Sequence, residues 1–161
     1  KAIEINPNKD EAYNNRGLVK SKLKDYLGAI SDYDTAIEID PRNAGAYNNR
    51  GLAKDKLKDY LGAISDFTKA LDNNPNLEQA YANRGEVKSS LEDYTEAIID
   101  FNKAIEIKPN YKGAYHRRSI AKFELNDRQG ACSDLKKAIS LGSNTLKEWL
   151  ERDSGSWCRD M

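Results

Sequence analysis

Residues 10–43 read DEAYNNRGLVKSKLKDYLGAISDYDTAIEIDPRN, and residues 44–77 read AGAYNNRGLAKDKLKDYLGAISDFTKALDNNPNL, a near copy displaced by 34 positions. The frame continues over 78–111 and 112–145. Tyr13-Asn14-Asn15-Arg16-Gly17 recurs as Tyr47-Asn48-Asn49-Arg50-Gly51, as Tyr81-Ala82-Asn83-Arg84-Gly85 and, loosely, as Tyr115-His116-Arg117-Arg118-Ser119. All four prolines, Pro7, Pro41, Pro75 and Pro109, keep the same 34-residue interval. A fixed period of this length marks stacked supersecondary units, each covering a face its neighbour cannot bury alone.

Each copy reads as two helices. Tyr13, Arg16, Gly17, Lys20 and Leu23 fall at i, i+3, i+4, i+7 and i+10, one helical face, which predicts a first helix over about 10–23. Asp25 offers a capping oxygen to the free amides of a second helix, whose apolar stripe is Tyr26, Ala29, Ile30, Tyr33, Ala36 and Ile37. Asp40-Pro41 stops it, because proline lacks the amide hydrogen and disfavours helical geometry in the residue before it. Gly17, Gly51 and Gly85 sit mid-helix, where glycine costs about 1 kcal/mol against alanine. Close helix contact offsets that loss, and the small surfaces of Ala29 and Ala36 with their equivalents are the expected partners.

Composition narrows the function. Twenty-six Lys plus Arg balance 26 Asp plus Glu, so the chain lacks the basic footprint of a sequence-independent nucleic-acid binder. No run approaches the roughly 18 apolar residues of a membrane-spanning helix, so neither nucleic acid nor membrane is an expected partner. Cys132 and Cys158 are too few for a disulfide scaffold and show no metal-ligand spacing against the lone His116. Cys132 shares an apolar column with Ile30, Ile64 and Ile98, so burial accounts for it. The compartment stays open, a soluble cytoplasmic chain being the preferred reading.

The pattern Tyr13, Gly17, Ala29, Tyr33, Ala36, Pro41 and its copies resembles the tetratricopeptide repeat. The resemblance covers residues 1–145 and implies an all-α, right-handed superhelical solenoid of antiparallel helix pairs: repeats at 10–43, 44–77, 78–111 and 112–145. It departs from the family where Tyr replaces the usual Trp, where Arg16, Arg50, Arg84 and Arg118 replace an apolar residue, and where Ser143 replaces a proline. Lys1 to Pro7 matches Lys103 to Pro109, so residues 1–9 read as the end of a truncated preceding repeat. Residues 146–161 read as a capping helix and tail: Leu146, Trp149 and Leu150 form the stripe of a helix over 144–152, with 153–161 frayed beyond it.

Two sets of residues could carry function. Asp32, Asp66, Asp100 and Asp134 each follow Arg16, Arg50, Arg84 and Arg118 by sixteen residues, which predicts four structural Arg–Asp pairs, since a charge in a helix interface is tolerated only when paired. The competing reading is anion binding by the arginine row. The aromatic columns led by Tyr13, Tyr26 and Tyr33 read as packing.

The remaining face of the first helices holds Asn14, Asn15 and Lys22, then Asn48, Asn49 and Lys56, then Asn83, and finally His116 and Arg117. If the family fold holds, this face lines a concave groove. Asn15, Asn49 and Asn83 are then similar to the asparagine ladder in the repeat region of O-linked N-acetylglucosamine transferases, where amides that both donate and accept hold extended polypeptide. The competing reading leaves these asparagines merely solvated. The carboxylate clamp of co-chaperones is matched only at Asn83 and Arg117; Asn48, Leu52 and Gly113 depart from it. His116, Arg117 and Lys112 make the repeat-4 end the expected place for an acidic group.

No nucleophile beside a base, carboxylate pair, metal cluster or phosphate-cradling loop stands out, so the chain reads as no enzyme, without cofactor or metal. The expected function is a protein–protein interaction scaffold binding an extended peptide or partner helix in its groove. The alternatives are a substrate-presenting module of a larger enzyme and an array that associates end to end.

Overall fold

The computed structural model describes residues 10–151 and 156–159, and every element among them is helical. In chain order these are α1 (Asp10–Lys22), α2 (Tyr26–Ile39), α3 (Ala44–Lys56), α4 (Tyr60–Asn73), α5 (Glu78–Ser90), α6 (Tyr94–Ile107), α7 (Lys112–Glu124), α8 (Arg128–Ser140), α9 (Asn144–Glu151) and α10 (Ser156–Arg159). The expected end of a preceding repeat, residues 1–9, lies outside the described residues, as do 152–155 and 160–161.

Capping chemistry sets the boundaries. Asp25 Oδ1 accepts from the Gly28 amide at 3.0 Å, Asp59 from Gly62 at 3.0 Å and Asp127 from Gly130 at 2.9 Å, each closing the first turn of a second helix. One residue earlier the chain turns through the left-handed region at Lys24, Lys58, Glu92 and Asn126, with φ of 64°, 63°, 63° and 63°. Glycine usually occupies that conformation, so its use by four other residues was not legible beforehand.

The fold divides into two compact units, one ending at Val87 and one beginning at Lys88. In the first, α1 packs on α2, α2 on α3 and α3 on α4. Its interior holds Tyr33 with Ala29 and Ala53, then Phe67 with Ala63 and Val87, and then Ala70 and Leu71 with Ala80 of α5. In the second, α6 packs on α7 and α7 on α8, around Phe101, Ala97 and Ala121.

The mid-helix glycines meet a different partner from the expected alanines. A Cβ on Gly17 would lie 2.6 Å from Tyr33 Cε1, and one on Gly51 would lie 2.8 Å from Phe67 Cε1. In these two copies the notch in the first helix receives an aromatic ring edge from the second. Ala29, Ala36, Ala63 and Ala70 are fully buried, though not as the glycines' counterpart.

A second correction concerns the C-terminus. Ser156–Arg159, read as part of a frayed tail, is helical, and Cys158 is fully buried. It is joined to Cys132 by a disulfide spanning 26 residues, so burial of Cys132 is not the whole account of that residue. The apolar surface of α8 draws α9 and α10 onto it: Leu135, Cys132 and Cys158 pack with Ile139, Leu146, Leu150 and Trp157.

Candidate functional site

Charge is arranged around the buried aspartates. Arg16 grips Asp32 with Nε at 2.8 Å and Nη2 at 2.5 Å, while Lys20 Nζ closes on the same carboxylate at 3.0 Å. Arg50 holds Asp66 at 2.9 and 2.6 Å, and Lys54 joins at 2.8 Å. Arg118 holds Asp134 at 2.7 and 2.5 Å, with Lys122 at 2.8 Å. In the remaining copy Lys88 lies 2.9 Å from Asp100, and Arg84 Nη1 donates to Thr68 Oγ1 at 3.0 Å.

The lysine column Lys20, Lys54, Lys88 and Lys122 was missed, although each follows its arginine by one helical turn and could have been found by that spacing. The fork of Arg50 also reaches back to Asp34 at 2.6 Å, and that of Arg118 to Asn102 at 2.6 Å. Each arginine lies over the tyrosine three residues before it, from 5.2 Å for Arg16 on Tyr13 to 5.7 Å for Arg84 on Tyr81. Burial works to raise the Asp32 pKa, yet the hydrogen bonds from Arg16 and Lys20 outweigh it and hold the carboxyl below its ordinary range.

The asparagines bridge repeats. Asn49 Nδ2 donates to Asn14 Oδ1 at 2.9 Å, and Asn83 Nδ2 donates to Asn48 Oδ1 at 3.0 Å, so each contact joins neighbouring first helices one position out of the register that aligns Asn15, Asn49 and Asn83. Asn15 is exposed. One bond uses one donor and one acceptor, and each amide keeps hydrogen-bonding capacity beyond it.

Beside this row a hollow of about 270 Å³ opens between the helices of the first two repeats. Leu18, Tyr26, Tyr33 and Leu52 line it with apolar surface, and Lys22, Asn49 and Lys56 stand at it with polar ends. Lys22 is exposed, and Lys56 pairs with its neighbour Asp55 at 3.0 Å, an interaction that raises its pKa against the smaller effect of burial.

The second unit has its own hollow, of about 380 Å³, where His116 and Ser119 meet Ile120, Phe123, Leu135, Leu146 and Trp157. Burial lowers the pKa of His116, and the neighbouring Arg117 charge adds to that, so the imidazole is neutral at pH 7. Ser119 Oγ donates to the His116 carbonyl at 2.7 Å. Phe123 packs against Trp157 with ring centroids 5.0 Å apart and planes tilted by 47°, and Arg128 lies 5.7 Å from the Phe123 ring. Arg117 is partly buried on the same helix, and Lys112 Nζ reaches the Gly142 carbonyl at 3.5 Å. Trp157 was not anticipated here, because nothing in its neighbourhood signals that the chain folds back.

Among the described residues no cluster of three metal-ligating side chains occurs, and no helix is long and apolar enough to cross a membrane. The family model of the tetratricopeptide repeat matches residues 10–43, 44–77 and 78–111. The chain belongs to the tetratricopeptide repeat family. No curated protein matches the sequence in a direct search.

Solved structures do match. The crystal structure of MamA is 26% identical, with a TM-score of 0.80, over 91% of this chain and 86% of MamA. The first tetratricopeptide domain of Spaghetti (RPAP3), bound to the HSP90 peptide SRMEEVD, is 28% identical, with a TM-score of 0.72, over 73% of this chain and 94% of that one. The Arabidopsis OM64 tetratricopeptide domain is 31% identical, with a TM-score of 0.67, over the same 73% and 94%. These repeats mark the chain as a protein-interaction scaffold.

Proposed function

We propose that this tetratricopeptide array is a non-catalytic scaffold that captures an extended polypeptide along the exposed face of its first helices. The observation that carries the reading is the combination, in the N-terminal unit, of the bridging asparagines with an apolar hollow edged by Lys22 and Lys56. Amides hold a peptide backbone, the hollow takes an apolar side chain, and the lysines favour acidic neighbours. A pre-formed array loses little conformational freedom on binding.

An acidic group on the ligand belongs at repeat 4, beside Arg117 and Lys112. The similar Spaghetti domain supports this, since its bound peptide SRMEEVD carries three acidic residues. A peptide-array screen of the chain beside an Asn15→Ala, Asn49→Ala, Asn83→Ala variant tests the amide row. Peptides retained by the parent and lost by the variant, at equal thermal stability, are the expected result. Identical binding patterns would remove the asparagines from recognition.

A further inference from the structure

The four repeats share a scaffold, so residues that depart from it in one copy report what that copy alone requires. In repeat 4, Phe123 stands where the earlier copies have Ser21, Asp55 and Ser89, and His116 stands where they have Asn14, Asn48 and Ala82. At Phe123 a polar position of the helix has turned apolar, and seven residues earlier, on the same face, His116 brings an imidazole. Meanwhile the ring that fills the interior of the other copies, Tyr33, Phe67 or Phe101, is replaced by the smaller Leu135. These exchanges leave the 380 Å³ hollow, with Ile120 and Phe123 still 47% and 37% exposed beside it.

Its charge surroundings are equally particular. Residues 112–145 carry seven Lys and Arg against three Asp and Glu, a surplus of four in a chain whose total is zero. The side-chain network adds to the imbalance. Arg50 and Lys54 are matched by two carboxylates, Asp66 and Asp34, whereas Arg118 and Lys122 share Asp134, and the second acceptor is the neutral Asn102. An apolar hollow in a cationic repeat fits an apolar side chain within an acidic segment.

One wall of the hollow depends on a covalent link. Trp157 belongs to α10, a four-residue helix too short to hold its place by backbone hydrogen bonding. Cys158, next to Trp157, is tied to Cys132 of α8. We propose that the repeat-4 hollow is a redox-latched receptor for an aromatic or branched apolar side chain of an acidic peptide, complete only while Cys132 and Cys158 are joined. This rests on the peptide-binding reading above and adds the anchor and its control.

Opening the latch is a thiol–disulfide exchange. A dithiol reductant supplies two electrons and two protons; its thiolate attacks one sulfur of the pair, the second thiol resolves the mixed disulfide, and two cysteine thiols and an oxidised reductant result. With the link gone, α10 is held only by the contacts of Trp157 and Cys158, and the wall leaves.

The test uses the full chain with Trp149→Phe, so that Trp157 is the sole indole emitter, and two nine-residue probes of glutamate and serine, one with a central phenylalanine and one with a central glycine. The phenylalanine probe should bind the oxidised chain and shift Trp157 emission. Binding should weaken at least tenfold for the glycine probe, for the chain reduced with dithiothreitol, and for Cys158→Ser, while circular dichroism shows the helices intact in each. Equal affinity of oxidised and reduced protein would overturn the latch. Equal affinity for both probes, or a free aromatic acid such as naphthoate competing as well as the phenylalanine probe, would overturn the side-chain receptor. If neither probe moves Trp157 while array peptides still depend on Asn49 and Asn83, this inference fails and the broader reading stands.

Discussion

Gly51 sets how closely the two helices of its repeat approach, because the ring of Phe67 occupies the space a side chain would need. Gly51→Ala gains up to about 1 kcal/mol of helix propensity and places a methyl 2.8 Å from an aromatic carbon held in the interior. Overpacking of that kind costs roughly 1–3 kcal/mol. Net destabilisation in urea unfolding is therefore expected, and the double variant with Phe67→Leu should recover most of it. Arg50→Leu leaves the buried Asp66 with Lys54 alone, and the expected loss is roughly 1–3 kcal/mol. If the pair is structural, peptide affinity of the folded fraction stays unchanged; a large loss of binding at an unchanged melting temperature would instead give the arginine row a ligand. His116 gives a pH dependence with a defined sign. Its folded pKa lies below the ordinary 6.5, so on acidification the unfolded chain takes the proton first, and the stability present above pH 6.5 is lost as pH falls through the lower folded value. His116→Gln should flatten that part of the profile.

Helices and turns were legible where their chemistry is local. The aspartate caps, the Asp40-Pro41 stop and the apolar stripe of α2 follow from side chains close in sequence, and the element boundaries fall within a residue or two of those signals. The left-handed turns were not, since Lys24 and Lys58 adopt that conformation without glycine, in helix ends closed by the Asp25 amide donating to the Lys20 carbonyl and the Asp59 amide to that of Lys54. That strain is recoverable: Lys58→Gly should raise stability by up to about 1 kcal/mol, read from the shift of the thermal midpoint. The asparagine contacts were hidden for another reason. A 34-residue period aligns Asn15 with Asn49, but neighbouring first helices are offset by one residue where they touch, and Asn14 meets Asn49 instead. The fold-back of α10 lies further from sequence reasoning still, because two cysteines 26 apart carry no information on whether they meet.

Within each unit, contacts run from a helix to the next one or the next but one, so a local perturbation should stay local. Reducing the disulfide, 26 residues in span, removes a closed loop that, by chain entropy, is worth about 3.5 kcal/mol. Hydrogen exchange should then quicken in α8 to α10 and remain unchanged in α1 to α4, and uniform acceleration would contradict nearest-neighbour stability. The arginine network carries a consequence for how such a chain grows. Arg50 reaches sixteen residues forward to Asp66 and sixteen back to Asp34, and Arg118 spans the same two distances. Because the stitch is symmetric, excising or duplicating one whole unit by recombination brings an arginine to a ready acceptor at the new junction. Unequal crossing-over could therefore lengthen or shorten this gene in whole-unit steps without stranding a charge at the seam.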